Sequence, residues 1–167
     1  AAPRRVAAID IGTNSIHLLI AAIDPVLHSF RIELVEKSTA RLGERDPISG
    51  DLSDAAIERG FRSLRHCREL AESHGVEAIV TAATSAVREA PNGREFLQSV
   101  QEQIGLAVDL ISGPEEARLI YLGVLSGMAF GDQPHLILDI GGGSTELVLA
   151  DGRDSRALTS TRVGAVR

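Results

Sequence analysis

The stretch "DIGTNSIHLLIAA", Asp10 to Ala22, returns later in the chain as "DIGGGSTELVLAD", Asp139 to Asp151. Laid over one another without a gap, the two share Asp-Ile-Gly, a Ser three residues after the Gly, and then Leu and Ala. Apolar runs flank each Gly-to-Ser turn, so each copy reads as strand, tight turn, strand. Such a repeat signals duplicated supersecondary units.

The turns also suggest a chemistry. Small residues let backbone N–H groups approach an anion closely, and successive N–H groups in a turn make a nest for phosphate oxygens. Gly12, Thr13, Asn14 and Ser15 would form one cradle; Gly141, Gly142, Gly143 and Ser144 would form the other. An Asp stands ahead of each turn, too close to a phosphate to be tolerated bare, so a divalent cation between them is the natural companion. One such loop alone would be an ordinary hairpin turn with Asp and Ser bonding the backbone. Two matched loops favour phosphate. No "GxxxxGK[ST]" occurs, and neither loop completes "GxGxxG" before a helix, which sets aside P-loop and dinucleotide-binding folds.

Between the copies the pattern is regular. Phe30, Ile32 and Leu34 alternate with charged residues in a third strand that ends by Gly43. Ser53 is placed to cap a helix running to about Ser73, with a stripe of Ile57, Phe61, Leu64, Cys67 and Ala71. A strand comes next in "VEAIVTAAT". In "PNGREFLQSVQEQIG", Asn92 and Glu95 carry a helix-start signature, and "AVDLIS" is one more strand. "SGPEEARLIYLGVLSG" reads as a helix with Ser112 and Glu115 spaced as a capping box and Pro114 in the first turn. The order is β-β-β-α-β-α-β-α. The strand–turn–strand pattern then restarts at Leu136, with a third strand in "ALTSTRVGAVR". This sets a boundary between residues 1–132 and 133–167. Two or three strands cannot bury their own apolar face, so the chain is expected to be the N-terminal part of a longer protein.

Composition narrows the functions. Hydrophobic residues at 44% and charged residues at 24% are ordinary for a soluble domain, and no run approaches the roughly 18 apolar residues of a membrane span. The single cysteine, Cys67, allows no internal disulfide or thiolate zinc cluster and fits a reducing, cytoplasmic setting; on its helix stripe it reads as a small buried side chain. A net charge of −6 and 3% aromatics argue against nucleic-acid partners, and any polyanion must be attracted by local groups.

Four motifs, "AAIDIGTNSIHLLIA", "TAATSAVREA", "LISGPEEARLIYLGV" and "LDIGGGSTEL", stand in order along essentially the whole chain. They resemble the signatures of the exopolyphosphatase and guanosine pentaphosphate phosphohydrolase family of the actin-like ATPase superfamily, which also holds sugar kinases and acetate kinase. The resemblance implies an α/β, ribonuclease H-like (actin-like ATPase) first lobe and the first strands of a second similar lobe. It implies removal of the terminal phosphate of inorganic polyphosphate or pppGpp with Mg2+ or another divalent cation, and a homodimer of the full-length protein; the absence of a long apolar run implies no membrane partner. The catalytic carboxylate matches Glu116, and residue spacing agrees: Glu115 sits where a capping box with Ser112 would occupy it, and Glu116 stands beside the helix N-terminus. Asp139 and Glu146 match acids near the metal, and Asp10 is the corresponding acid of the first loop. Arg88 in "TSAVRE" matches a phosphate-binding arginine whose fork suits phosphate. His17 aligns with Glu146 in the repeat and reads as a packed or loop-bonded histidine. Arg41, Arg45 and Arg162 are further cations without a motif, read as solvated. The rival readings are a pppGpp phosphohydrolase, a sugar kinase or actin-like ATPase, and a phosphate-binding module without turnover.

Overall fold

In the computed structural model, residues 2–152 and 154–166 are described. The chain divides into two compact units, Ala1–Leu110 and Ile111–Arg167.

The first unit is built on a mixed five-stranded sheet. Strands β1 (Arg4–Ile11), β2 (Ser15–Asp24) and β3 (Ser29–Thr39) run as an antiparallel meander; helix α1 (Asp54–Ser73) leads into β4 (Ala78–Ala83). A short helix α2 (Ser85–Arg88), helix α3 (Gly93–Ile104) and strand β5 (Val108–Leu110) complete it, in the sheet order β3-β2-β1-β4-β5. Strand β4 joins β1 in parallel, and β5 joins β4 in parallel. The period of two in β1 and β2 decides which face is buried. Ala7, Ile9 and Ile11 stand opposite Ile20, Leu18 and Ile16, and all six lie in one core with Leu64, Cys67, Ala71, Phe96, Val100 and Ile104 from α1 and α3.

Local signals explain the helix ends. Ser53 caps α1 by accepting from the Ala56 N–H, as its sequence position indicates. Asn92 stands ahead of α3 but does not cap it. Its amide is used across the unit instead, with Oδ1 accepting from the Leu52 N–H at 2.8 Å and Nδ2 donating to the Leu52 carbonyl. Gly105 ends α3 with φ +74°, the left-handed conformation that glycine adopts most readily. Helix α2 leaves no mark in the sequence pattern, because four residues are too few to show a helical period. Cys67 is buried, and burial together with nearby Glu36 pushes its thiol up to about 11, which fits an inert core side chain.

The second unit holds helix α4 (Gly113–Gly127) and an antiparallel sheet of β6 (Pro134–Ile140), β7 (Thr145–Asp151) and β8 (Asp154–Thr161), with β7 central. Ala117 and Tyr121 of α4 pack on Val148 and Ala150, joined by Leu125, Ile137 and Leu158. The compact units therefore divide ahead of α4, whereas the boundary at 132/133 marks the restart of the strand pattern. The third strand lies at Asp154–Thr161, earlier than the expected 157–167, and Arg167 is outside the described residues.

Candidate active site

Both repeated stretches form hairpins with the same geometry. Ile11 pairs with Ile16 and Ile140 with Thr145, which leaves four residues, 12–15 and 141–144, in each loop. The Gly12 N–H donates to the Ser15 carbonyl at 3.0 Å, and the Gly141 N–H donates to the Ser144 carbonyl at 2.9 Å. Glycine relieves crowding at the first loop position, where a Cβ would stand 3.0 Å from that carbonyl oxygen in the first loop and 3.2 Å in the second. These two glycine N–H groups close the turns. No turn or loop bond among the described residues uses the N–H groups of Thr13, Asn14, Gly142 or Gly143.

Each loop is held from behind through its carbonyls. In the first, Thr13 and Asn14 carbonyls accept from the Gly43 and Arg41 N–H groups at 2.8 and 2.9 Å. Arg41 takes the left-handed conformation, φ 52°, to do so. The Thr13 hydroxyl is 2.9 Å from that of Ser85, buried, so this side chain ties the loop to α2 rather than facing outward. Thr84 donates to the Ile11 carbonyl through its N–H, and the Arg45 guanidinium donates to the Ala86 carbonyl. Helix α2, which ends on Arg88, is thereby fastened beside the first loop. Asn14 is exposed, while Ser15 is buried.

In the second loop the Gly141 and Gly142 carbonyls accept from the Ala165 and Val166 N–H groups, each at 2.9 Å. The Thr145 hydroxyl donates to the Val163 carbonyl at 2.6 Å. Gly164 allows this approach, for a Cβ there would stand 2.4 Å from the Gly142 oxygen and 2.5 Å from the Gly143 nitrogen. Sequence pattern does not point to residues 163–166, since backbone bonds leave no side-chain signature. The glycine of "RVGAVR" is the available sign.

The acids fall into two groups. Asp10 is in the first unit, exposed, directly across the hairpin from His17, whose Nδ1 is 4.0 Å from its carboxylate. In the second unit Asp139 and Glu146 are direct partners on β6 and β7 and so share one sheet face; Asp139 is exposed and Glu146 only 2% exposed. Two like charges directly opposite destabilise a sheet. A divalent cation held between them would offset that repulsion, and carboxylate oxygens are the donors Mg2+ takes, with water and phosphate completing its shell. No group of three or more His, Cys, Asp or Glu side chains among the described residues is gathered for a metal.

Helix α4 opens as its sequence indicates in one half only. Ser112 accepts from the Glu115 N–H at 3.2 Å, but the Glu115 carboxylate grips Arg118 through two hydrogen bonds at 2.7 and 2.8 Å. The Arg118 guanidinium holds the Glu115 carboxyl below its usual range. Glu115 is thus engaged, by an arginine rather than a capping box, and half-buried Glu116 stands next to it in the first turn. The structure gathers loop 12–15 with Arg88's helix in one unit, and Glu116, Asp139, loop 141–144 and Glu146 in the other. No helix is long and apolar enough to cross a membrane among the described residues.

The model of the Ppx/GppA phosphatase family matches residues 19–167. The crystal structure of the Aquifex aeolicus member of the Ppx/GppA family is 34% identical, with a TM-score of 0.84 over 96% of this chain and 52% of that one. An exopolyphosphatase from Cytophaga hutchinsonii is 30% identical, with a TM-score of 0.90 over 96% of this chain and 51% of that one. The chain spans about half the length of these relatives.

Proposed function

The chain belongs to the Ppx/GppA phosphatase family, and from that premise we propose that the full-length protein releases orthophosphate from the end of inorganic polyphosphate. The observation that carries this reading is the pair of acid-flanked loops, each closed by the same turn bond and each held from behind, with inner N–H groups that take no part in the turn. Likeness to an exopolyphosphatase favours polyphosphate over pppGpp as substrate.

In this mechanism water attacks the terminal phosphorus in line. Glu116 orients the water and accepts its proton, the role a carboxylate beside a helix N-terminus can fill. Loop N–H groups of Thr13, Asn14, Gly142 and Gly143 bind phosphate oxygens, with Gly12, Ser15, Gly141 and Ser144 holding the turns in shape. Arg88 takes charge from an equatorial or leaving oxygen through its guanidinium fork. Asp139 and Glu146 would hold Mg2+, which when bound would neutralise charge on the phosphates. Preorganised donors do most of the work, and no covalent intermediate is required.

The test compares Glu116→Ala with Glu115→Ala in the full-length protein. We expect Glu116→Ala to lower turnover by roughly 10²–10⁴ with KM little changed, the range for removing a general base. Glu115→Ala should lose only the Arg118 pair. Near-normal turnover in Glu116→Ala would remove it from the role.

A further inference from the structure

Glu146 is a carboxylate at 2% exposure, and it accepts a hydrogen bond from Ser160, whose hydroxyl donates to Oε1 at 2.7 Å. The register places Ser160 on β8 directly opposite Glu146, just as Asp139 is opposite it on β6. On the central strand, then, this carboxylate has an acid on one side and a hydroxyl on the other. A buried carboxylate without a fixed donor would be free to turn, and a buried polar group without a partner is costly.

The first turn of α4 comes down on the same hydroxyl. A Cβ on Gly113 would stand 2.5 Å from the Ser160 Cβ and 2.7 Å from its Oγ, a clearance that only glycine provides. That turn also carries Glu116. We infer that Ser160 is a positioning residue for the reaction: its hydroxyl locks the Glu146 carboxylate beside Asp139, under a helix start that Gly113 keeps close. The inference rests on reading Asp139 and Glu146 as the metal-facing pair. Partners that orient a ligating carboxylate ordinarily matter to metal affinity almost as the ligands do.

The experiment titrates Mn2+ into the full-length protein, reading bound ion by electron paramagnetic resonance, with Ser160→Ala, Ser160→Cys and Glu146→Gln beside the parent. Ser160→Ala should weaken Mn2+ binding roughly tenfold or more while lowering the melting temperature by no more than about 4 °C. Ser160→Cys puts a somewhat larger sulfur in place of the hydroxyl and donates weakly, and should fall between parent and alanine. A purely packing role predicts the reverse for the pair, with cysteine matching the parent and alanine losing stability without losing Mn2+. A second cycle separates clearance from hydroxyl: Gly113→Ala with Ser160→Gly should recover stability lost in Gly113→Ala alone, yet bind Mn2+ no better than Ser160→Ala. If Glu146→Gln weakens Mn2+ and both Ser160 variants bind it normally, the positioning role is overturned and the metal reading stands. If Glu146→Gln binds Mn2+ normally, the metal reading falls and this inference falls with it.

Discussion

The two hairpins share a turn, a register and much of a sequence, yet within these 167 residues it is opposite faces that are covered. In the first, Ala7, Ile9, Ile11, Ile16, Leu18 and Ile20 lie in the core with α1 and α3. Their counterparts on β6 are Leu136, Leu138 and Ile140, which are 63%, 54% and 60% exposed. Helix α4 covers the other face of the second hairpin, closing over Ile137, Val148 and Ala150. The consequence is visible at the eighth position of the repeat. His17 lies partly exposed beside Asp10, whereas Glu146 is sealed beneath α4 with Ser160 for a partner. A duplicated supersecondary unit thus supplies two loops of one shape, and α4 packed over β7 gives Glu146 surroundings that His17 lacks.

The largest effect should come from testing that asymmetry in the core. Ile9→Ala should cost about 2–5 kcal/mol in chemical denaturation of the 167-residue chain, the range for truncating a buried side chain. Leu138→Ala, at the matching repeat position, should stay within about 0.5 kcal/mol, as a surface change does. Equal losses would mean that both faces are covered alike.

A second contrast concerns the supports behind the loops. Gly164→Ala drives a Cβ into backbone, 2.4 Å from the Gly142 oxygen, so strand end and loop must part; we expect about 1–3 kcal/mol and a steep fall in phosphate release. Gly43→Ala meets the Thr13 methyl at 2.6 Å, so a buried branched side chain, rather than backbone, must turn to make room. It should be the milder variant in both readouts. A smaller effect is due from Thr13→Val, which removes the buried bond to Ser85 and should cost about 1 kcal/mol while raising KM modestly by loosening α2 and Arg88. An unchanged KM would separate α2 from the first loop's function.

Much of the fold is legible in residues with local signatures. The repeat marks both hairpins, Ser53 and Ser112 announce their helices, apolar runs mark β1 and β2, and alternation marks β3. The features that escape such reading are set by tertiary contact. Asn92 looks like a cap, but Leu52 across the unit competes for its amide and wins both ends of it. Glu115 looks like the second half of a capping box, but Arg118 one turn on offers a charged fork. Helix α2 is too short to show a helical period, and the support from residues 163–166 runs through backbone atoms that every residue shares. Ser160 is one serine among several in the sequence; only the β7–β8 register reveals what it touches.

Phosphate release by the full-length protein, measured side by side on long-chain polyphosphate, pppGpp and ATP with and without Mg2+, tests the central claim most directly. The predicted result is Mg2+-dependent release from polyphosphate that is lost in Glu116→Ala. Release from pppGpp alone would change the substrate and leave the site intact; turnover of ATP with neither of the others would contradict the proposed function.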